Sequence, residues 1–380
     1  MPTYFFQLGN TPVLSVLEIE ALCSCKLDSI SSQLCWTQTE KPLDIDHLQQ
    51  QSGGLVKTYL QLSTLETDSI NEIEAKITDY LSQQTGKVVF SITYLGDIST
   101  PKVKFQDIKK QLTQQNIKSR YIESSSQGLS AAVLLHQKVH ELVIIKVGSK
   151  LVLAKTISVQ DIDAWTKIDR SKPYFDRKKG MLPPKVARMM VNIAKKLVTE
   201  STEKQPTIYD PFCGSGTILM EAALQGFNVI GSDLDKVAVE GTKQNLEWLT
   251  QAYSLGEINS SIWQQDATQA LPNSNLAVDI IVTEPFLGKP KPEDHELANI
   301  FKGLYRTYLG TFKNWSQMLK PQTPIVIILP LVETKTKTYD LQKLIDKLPQ
   351  LGYTTVSQPV IYSRPQAVVK RQLNFLRYKG

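Results

Sequence analysis

The segment Asp210-Pro-Phe-Cys-Gly-Ser-Gly-Thr217 restricts this chain more than any other. A strand-like run, Thr207-Ile-Tyr209, precedes it. A helix-patterned run to Leu224 follows, stopped by Gly226. Glycines at such a turn let backbone pass close to a ligand, and the helix start offers unpaired N–H groups. A lone Gly-x-Gly is a common tight turn, but the downstream sequence keeps the same rhythm. Asn228–Gly231 reads as a strand, about Val237 to Leu249 as a helix, and Ser261–Gln264 as a third strand. Val278-Asp-Ile-Ile-Val282 is apolar on both faces, as a central parallel strand requires. A long helix from about Leu297 to Leu319, a strand at Pro324–Leu329 and a helix at Leu341–Leu348 come next. Tyr353–Tyr362 and Gln372–Tyr378 then read as two strands with no helix between them. Alternating strand–helix units that end this way predict an α/β fold over 184–380, a Rossmann-like doubly wound sheet with an antiparallel terminal hairpin.

Ligands in such sheets bind at the carboxyl ends of the strands. Four strand ends carry polar groups here: the glycine loop, Gly231-Ser-Asp233, Gln265-Asp266-Ala267 and Thr283-Glu-Pro-Phe286. An acid after the second strand can accept hydrogen bonds from a ribose diol, and one after the third can take an adenine amine. Taken singly, each is as well explained by turn glycines and capping acids. Together they agree on one architecture. A dinucleotide dehydrogenase fits less well, because the loop reads Cys-Gly-Ser-Gly-Thr and not Gly-x-Gly-x-x-Gly. Cys213 has no histidine nearby in sequence and is not read as a nucleophile.

Residues 1–160 read as a mixed α+β region with small sheets and no catalytic cluster. Strands are expected at Tyr4–Leu8, Val56–Leu62, Lys87–Tyr94, Ala131–Leu135, Glu141–Lys146 and Leu151–Thr156. Ser15-x-x-Glu18 fits a capping box opening a short helix, and Ile70, Ile73, Ile77 and Leu81 have helical spacing. Asp161 to Pro183 reads as an irregular basic junction, after which Pro183-Pro184 starts a helix. Charge divides along the same line. Residues 1–150 have a net charge of −1 and residues 151–380 a net charge of +7. The excess sits in the junction (Arg170, Lys172, Arg177, Lys178, Lys179) and near the C-terminus (Arg364, Lys370, Arg371, Arg377). A basic stripe can neutralise phosphates, though a solvated surface has the same composition. Trp165 and Trp36 could stack on bases, but burial is the commoner fate of tryptophan.

No apolar run reaches the ~18 residues of a membrane helix, and the first residues lack the pattern of a signal peptide. The four cysteines and four histidines do not show metal-ligand spacing. A reduced, cytoplasmic chain without a structural metal is expected.

The glycine loop and Gly231-Ser-Asp-Leu-Asp235 resemble the first two motifs of class I methyltransferases dependent on S-adenosyl-L-methionine. More narrowly, they resemble the RNA methylases that make N2-methylguanosine at guanosine 10 of tRNA and carry a THUMP-type RNA-binding region. Gly180-Met-Leu-Pro-Pro-Lys-Val-Ala-Arg-Met-Met-Val-Asn192 is similar to that family's segment before the glycine loop, and Ile361-Tyr-Ser-Arg-Pro365 with Arg371 to its C-terminal hairpin. The resemblance is specific over about 161–378 and looser before it. It implies an S-adenosyl-L-methionine site formed by Asp210, Phe212, Cys213, Gly214 and Gly216 for the methionine part, Asp233 for the ribose and Asp266 for the adenine. It implies catalysis by Glu284, Pro285 and Phe286, tRNA as partner, and RNA contacts by Arg170, Lys172, Arg177, Lys178 and Lys179. The family motif is Asp-Pro-Pro-Tyr, so this chain departs from it: Glu284 is one methylene longer, the second proline is missing, and Phe286 stands for tyrosine. The same amine with adjusted geometry, a different base, or cofactor binding with poor turnover all fit. A DNA amino-methyltransferase and a non-catalytic RNA-binding protein are the alternatives. Glu284 capping Lys289 is the bland reading of that acid.

Overall fold

The computed structural model describes residues 1–65, 69–96, 102–176, 180–198, 205–270 and 277–380. The chain divides into two compact units, Met1–Asp163 and Ala164–Gly380.

The first unit runs β1 (Thr3–Leu8), α1 (Pro12–Cys23), β2 (Asp28–Ser31), β3 (Leu34–Gln38), α2 (Ile45–Gln51), β4 (Leu55–Leu65), α3 (Ile70–Ser82), β5 (Val88–Leu95), α4 (Phe105–Gln114), β6 (Ser119–Tyr121), α5 (Ala131–Gln137), β7 (His140–Val147) and β8 (Lys150–Val159). The small sheets expected from sequence are one eight-stranded sheet, ordered β2-β3-β1-β4-β8-β7-β5-β6. The antiparallel β4–β8 ladder, from Lys57↔Val159 to Leu65↔Leu151, joins its halves. Ile73, Ile77 and Leu81 of α3 and Ile108 and Leu112 of α4 pack on Phe90, Leu142, Ile144 and Leu153. Ile19 of α1 and Leu48 of α2 pack with Phe6 and Leu55 in a separate cluster.

Three local readings are corrected in this unit. Ala131–Leu135 is helical, because the Ser130 side chain accepts from the Val133 N–H and starts α5. Ser15 and Glu18 lie inside α1, which begins at Pro12. The Glu18 carboxylate instead accepts from Ser52 Oγ (2.7 Å) and from the N–H groups of Gly53 and Gly54 (2.8 Å each). Cys23 and Cys25 are not free thiols but form a disulfide; α1 ends at Cys23, and Ser24 (φ 51°) turns the chain back on itself.

α6 (Ile162–Arg170) occupies part of the segment expected to be irregular. The second unit continues with α7 (Pro184–Lys196), β9 (Thr207–Asp210), α8 (Thr217–Leu224), β10 (Asn228–Asp233), α9 (Lys236–Ala252), β11 (Ser260–Gln264), β12 (Ile280–Thr283), α10 (Asp294–Trp315), β13 (Pro324–Glu333), β14 (Thr338–Tyr339), α11 (Gln342–Lys347), β15 (Tyr353–Thr355), β16 (Val360–Tyr362) and β17 (Lys370–Tyr378). Strands β11-β10-β9-β12-β13 are parallel, and β17 pairs antiparallel with β13 on one side and with β15 and β16 on the other. The order turns about β9 and β12, the switch point at which a doubly wound sheet opens a crevice. All four residues of β12 are buried, as a strand covered on both faces should be. α10 packs one face of this sheet with Leu297, Phe301, Leu304, Tyr308, Phe312 and Trp315, at helical spacing. Among the described residues, no helix is long and apolar enough to cross a membrane.

Replacing Glu18 by alanine strips the Gly53 and Gly54 N–H groups of their buried acceptor. Each unsatisfied donor costs about 1–3 kcal/mol. We expect Glu18→Ala to lower stability by roughly 2–5 kcal/mol in urea unfolding, and a loss below about 1 kcal/mol would contradict this account.

Candidate active site

The carboxyl ends of β9, β10 and β12 converge on the glycine loop. After Asp210 the chain turns through Phe212 and Cys213 into Gly214 (φ 53°) and Gly216 (φ 76°), conformations that β-carbon-bearing residues rarely adopt. At Gly216 a side chain would strike Thr242 of α9, 2.8 Å from where its Cβ would sit. At Gly214 the nearest neighbour is the Phe212 carbonyl at 3.9 Å. The backbone is therefore packed on one side and open on the other, which is the form of a cradle. The Cys213 N–H donates to the Ser232 carbonyl (3.0 Å), tying the loop to β10. Cys213 is buried, with its thiol pushed well up by that burial and by Asp210 and Asp233.

Asp210 is buried and accepts from Thr283 Oγ1 of β12 (2.6 Å) and from the Phe212 N–H (3.1 Å). Burial pushes its carboxyl up to about 7 against the pull of those two donors, and Asp233 and Glu284 add to the rise. Asp233 accepts one bond on each oxygen, from the N–H groups of Gly214 and Asp235 (2.9 Å each). Each of its oxygens keeps lone-pair capacity for a further donor, such as a hydroxyl. Asp266 is exposed and accepts from the Thr268 N–H and Oγ1. Open glycine backbone and three acids at successive strand ends suit a ligand with a cationic group, a diol and an amine. Sequence reasoning missed Thr283, which joins two strand ends. It also missed Leu234 and Val237, large apolar side chains 69% and 64% exposed beside Asp233.

A strap crosses the same loop. Asn245 of α9 accepts from the Tyr174 N–H (2.9 Å) and donates to the carbonyls of Tyr174 and Ser215 (2.9 and 2.8 Å). The Tyr174 ring lies so close to Gly241 that a Cβ there would fall 2.1 Å from it. Lys172 belongs to this strap. It was expected at an RNA surface, but it is only 2% exposed and donates to Thr217 Oγ1 (3.2 Å), with burial depressing its ammonium. It is therefore corrected to an internal anchor at the start of α8. Arg170 is exposed at the end of α6. Arg177, Lys178 and Lys179 lie outside the described residues. Trp165 is buried under the Arg188 guanidinium, 4.5 Å from the ring centroid, and is not a free stacking platform.

Glu284 follows β12. It does not cap Lys289, which pairs with Glu296 (2.9 Å). Its Oε1 accepts from Arg371 Nε of β17 instead. Burial pushes its carboxyl above the ordinary range, and Arg371 and Arg364 draw it back. Pro285 is buried, whereas Phe286 is 67% exposed. The Phe286 carbonyl accepts from Tyr308 Oη of α10 (2.5 Å), so the backbone is pinned while the ring faces solvent.

Strand order, glycine loop and strand-end acids define a Rossmann-like class I methyltransferase fold. In agreement, the structure resembles that of "a possible methylase" from Clostridium difficile 630, with a TM-score of 0.52 and 13% identity over 100% of this chain and 98% of that one. A family model described as "RMKL-like, methyltransferase domain" matches residues 174–330, and one described as "DNA methylase" matches 103–244. The chain is 35% identical over 124 residues to the "Probable tRNA (guanine(10)-N2)-dimethyltransferase" of Methanothermococcus thermolithotrophicus, covering 32% of this chain and 70% of that protein. It is 32% identical over 166 residues to the tRNA (guanine(10)-N2)-dimethyltransferase of Methanothermobacter thermautotrophicus, covering 43% of this chain and 44% of that protein. The chain belongs to the tRNA (guanine(10)-N2)-dimethyltransferase family. It matches less than half the length of the Methanothermobacter thermautotrophicus relative.

The Asp210 carboxyl, at about 7 in the folded chain, lies above its ordinary value of 3.8. A raised carboxyl contributes stability that is full below the unfolded value and lost as pH rises through 7. Without ligand, Asp210→Asn should therefore be more stable than the parent at pH 8, by roughly 2–4 kcal/mol, with much of that gain gone at pH 5. Urea unfolding at both pH values checks this, and a gain of equal size at the two would count against it.

Proposed function

We propose that this protein transfers a methyl group from S-adenosyl-L-methionine to guanine N2 in tRNA. The observation that carries the reading is Glu284, which stands at the end of β12 beside the exposed Phe286, next to the strand that leads into the open glycine cradle. When bound, S-adenosyl-L-methionine supplies an activated methyl on a cationic sulfur. Asp210, Phe212, Cys213, Gly214 and Gly216 enclose its methionine part in this reading. Asp233 accepts from the ribose hydroxyls, and Asp266 from the adenine amine.

An exocyclic base amine is a poor nucleophile, because its lone pair is drawn into the ring. An acceptor on its N–H groups favours a pyramidal nitrogen with the lone pair free to attack. Glu284 provides one acceptor, and the backbone carbonyl of Pro285 is suited to provide a second. The Phe286 ring stacks on the base and holds it in line with the methyl group. The base reaches this site unpaired or flipped out of its helix. The N-terminal unit serves as the RNA-binding, THUMP-like region. Arg170, Arg177, Lys178 and Lys179 meet phosphates of the RNA in this reading, and the protein acts in the cytoplasm, where tRNA is available. Family membership and the site geometry support this assignment.

Purified protein, labelled S-adenosyl-L-methionine and unmodified total tRNA, followed by nucleoside digestion and mass spectrometry, test it. Label is expected in N2-methylguanosine or its dimethyl form, falling roughly 10²–10³-fold in Glu284→Ala. Label in another nucleoside, or in adenine or cytosine of DNA offered in parallel, would replace the substrate. Ligand binding without transfer would make the protein a non-catalytic RNA binder.

A further inference from the structure

The Glu284–Arg371 pair has a chemistry that general amine binding does not use. Arg371 engages Oε1 of Glu284 through Nε alone. Glu284 Oε2 accepts no hydrogen bond from any described residue, and the Arg371 Nη1 and Nη2 donate to none. Both side chains keep a little exposure, 14% for Glu284 and 12% for Arg371. The two residues come from different elements, the end of β12 and the start of the closing strand β17, so the bond sets acceptor and donor side by side on a rigid sheet. Phe286, whose ring is exposed, lies two residues from Glu284.

We propose that Arg371 is a specificity-determining residue that, together with Glu284, reads the edge of the acceptor base and restricts it to guanine; this rests on the function proposed above. The amine edge of guanine runs N2–H donor, N1–H donor, O6 acceptor. A carboxylate followed by a guanidinium presents the complementary order, acceptor and then donor. Adenine and cytosine place a ring nitrogen without hydrogen beside the amine. Against this pair that nitrogen faces carboxylate oxygen, leaving two acceptors opposed. Ionised, the carboxylate presents only acceptors to the base, whereas protonation would turn one of its oxygens into a donor. Arg371 and Arg364 oppose the effect of burial on Glu284, while Asp210 and Tyr308 are the other titratable groups coupled to it. The departure from the family's aspartate is accommodated in the same way, since the longer glutamate side chain reaches β17.

The test uses tRNA that carries, at the guanosine the parent protein methylates, either guanosine or 2-aminopurine riboside. The latter keeps the amine but has no O6 and an unprotonated N1. The parent should methylate the guanosine tRNA faster, by roughly 10–100-fold. In Arg371→Ala and Arg371→Met the rate on guanosine should fall more than the rate on 2-aminopurine, so the ratio between them narrows to the part that Glu284 alone sustains. Arg371→Lys, which keeps the charge without the planar fork, should recover only part of the ratio. Titration with S-adenosylhomocysteine monitors the fold, and its affinity should not change. Equal losses on both substrates would give Arg371 a merely structural role and overturn the inference. So would a parent protein that does not discriminate between the two. A parent that methylates no guanosine in any tRNA would instead remove the proposed function, and this inference with it.

Discussion

The hydrogen bond from Thr283 to Asp210 holds the central part of the site in register. It joins the carboxyl ends of β9 and β12, the neighbouring strands at which the sheet order reverses. Asp210 is the last residue of β9, so its side chain fixes where the glycine loop leaves the sheet. Thr283 is the last residue of β12, so the same bond fixes where Glu284 enters the crevice. The cradle and the acid are thereby positioned by one buried contact between two rigid elements, and a site built on strand ends holds its geometry better than one built on free loops. Asp233 extends the arrangement to β10 through its bond from the Gly214 N–H.

Much of the second unit is legible in the sequence because its signals are local. The apolar run at Val278–Val282, the glycine stop after Leu224 and the closing strand β17 each report their own conformation, whereas the single strand expected over Tyr353–Tyr362 is divided into β15 and β16. Site residues at strand ends are legible for the same reason, since the register of a strand places its last side chain. Lys172 was misread because charge carries no information on burial. Nothing local marks it as the lysine that reaches Thr217 rather than solvent. α6 was missed because its helical stripe is short, resting on Trp165 and Ile168, and its charged residues suggested a linker.

The first unit was harder to read, and the reason is again physical. Its single sheet depends on the β4–β8 ladder between residues about a hundred positions apart, and nothing in either strand names the other. Ala131–Leu135 has an apolar composition that suits a short strand as well as a helix, and only the Ser130 cap decides. Glu18 looked like a capping residue because its spacing from Ser15 matched one. Its partners, Ser52 to Gly54, lie more than thirty residues away. The pairings of Thr283 with Asp210 and of Arg371 with Glu284 were missed for the same reason. Their value comes from what the fold brings opposite them.

Asp210 has one consequence for how a ligand enters. Burial raises its carboxyl to about 7, so near neutral pH it holds part of a proton when no ligand is bound. A cation settling beside it favours the ionised form, so binding expels a fraction of a proton into solvent. The heat of binding then contains the ionisation heat of whatever buffer takes that proton. Titrations of the same protein in phosphate and in Tris would differ in enthalpy while agreeing in affinity, and that difference would count the protons exchanged.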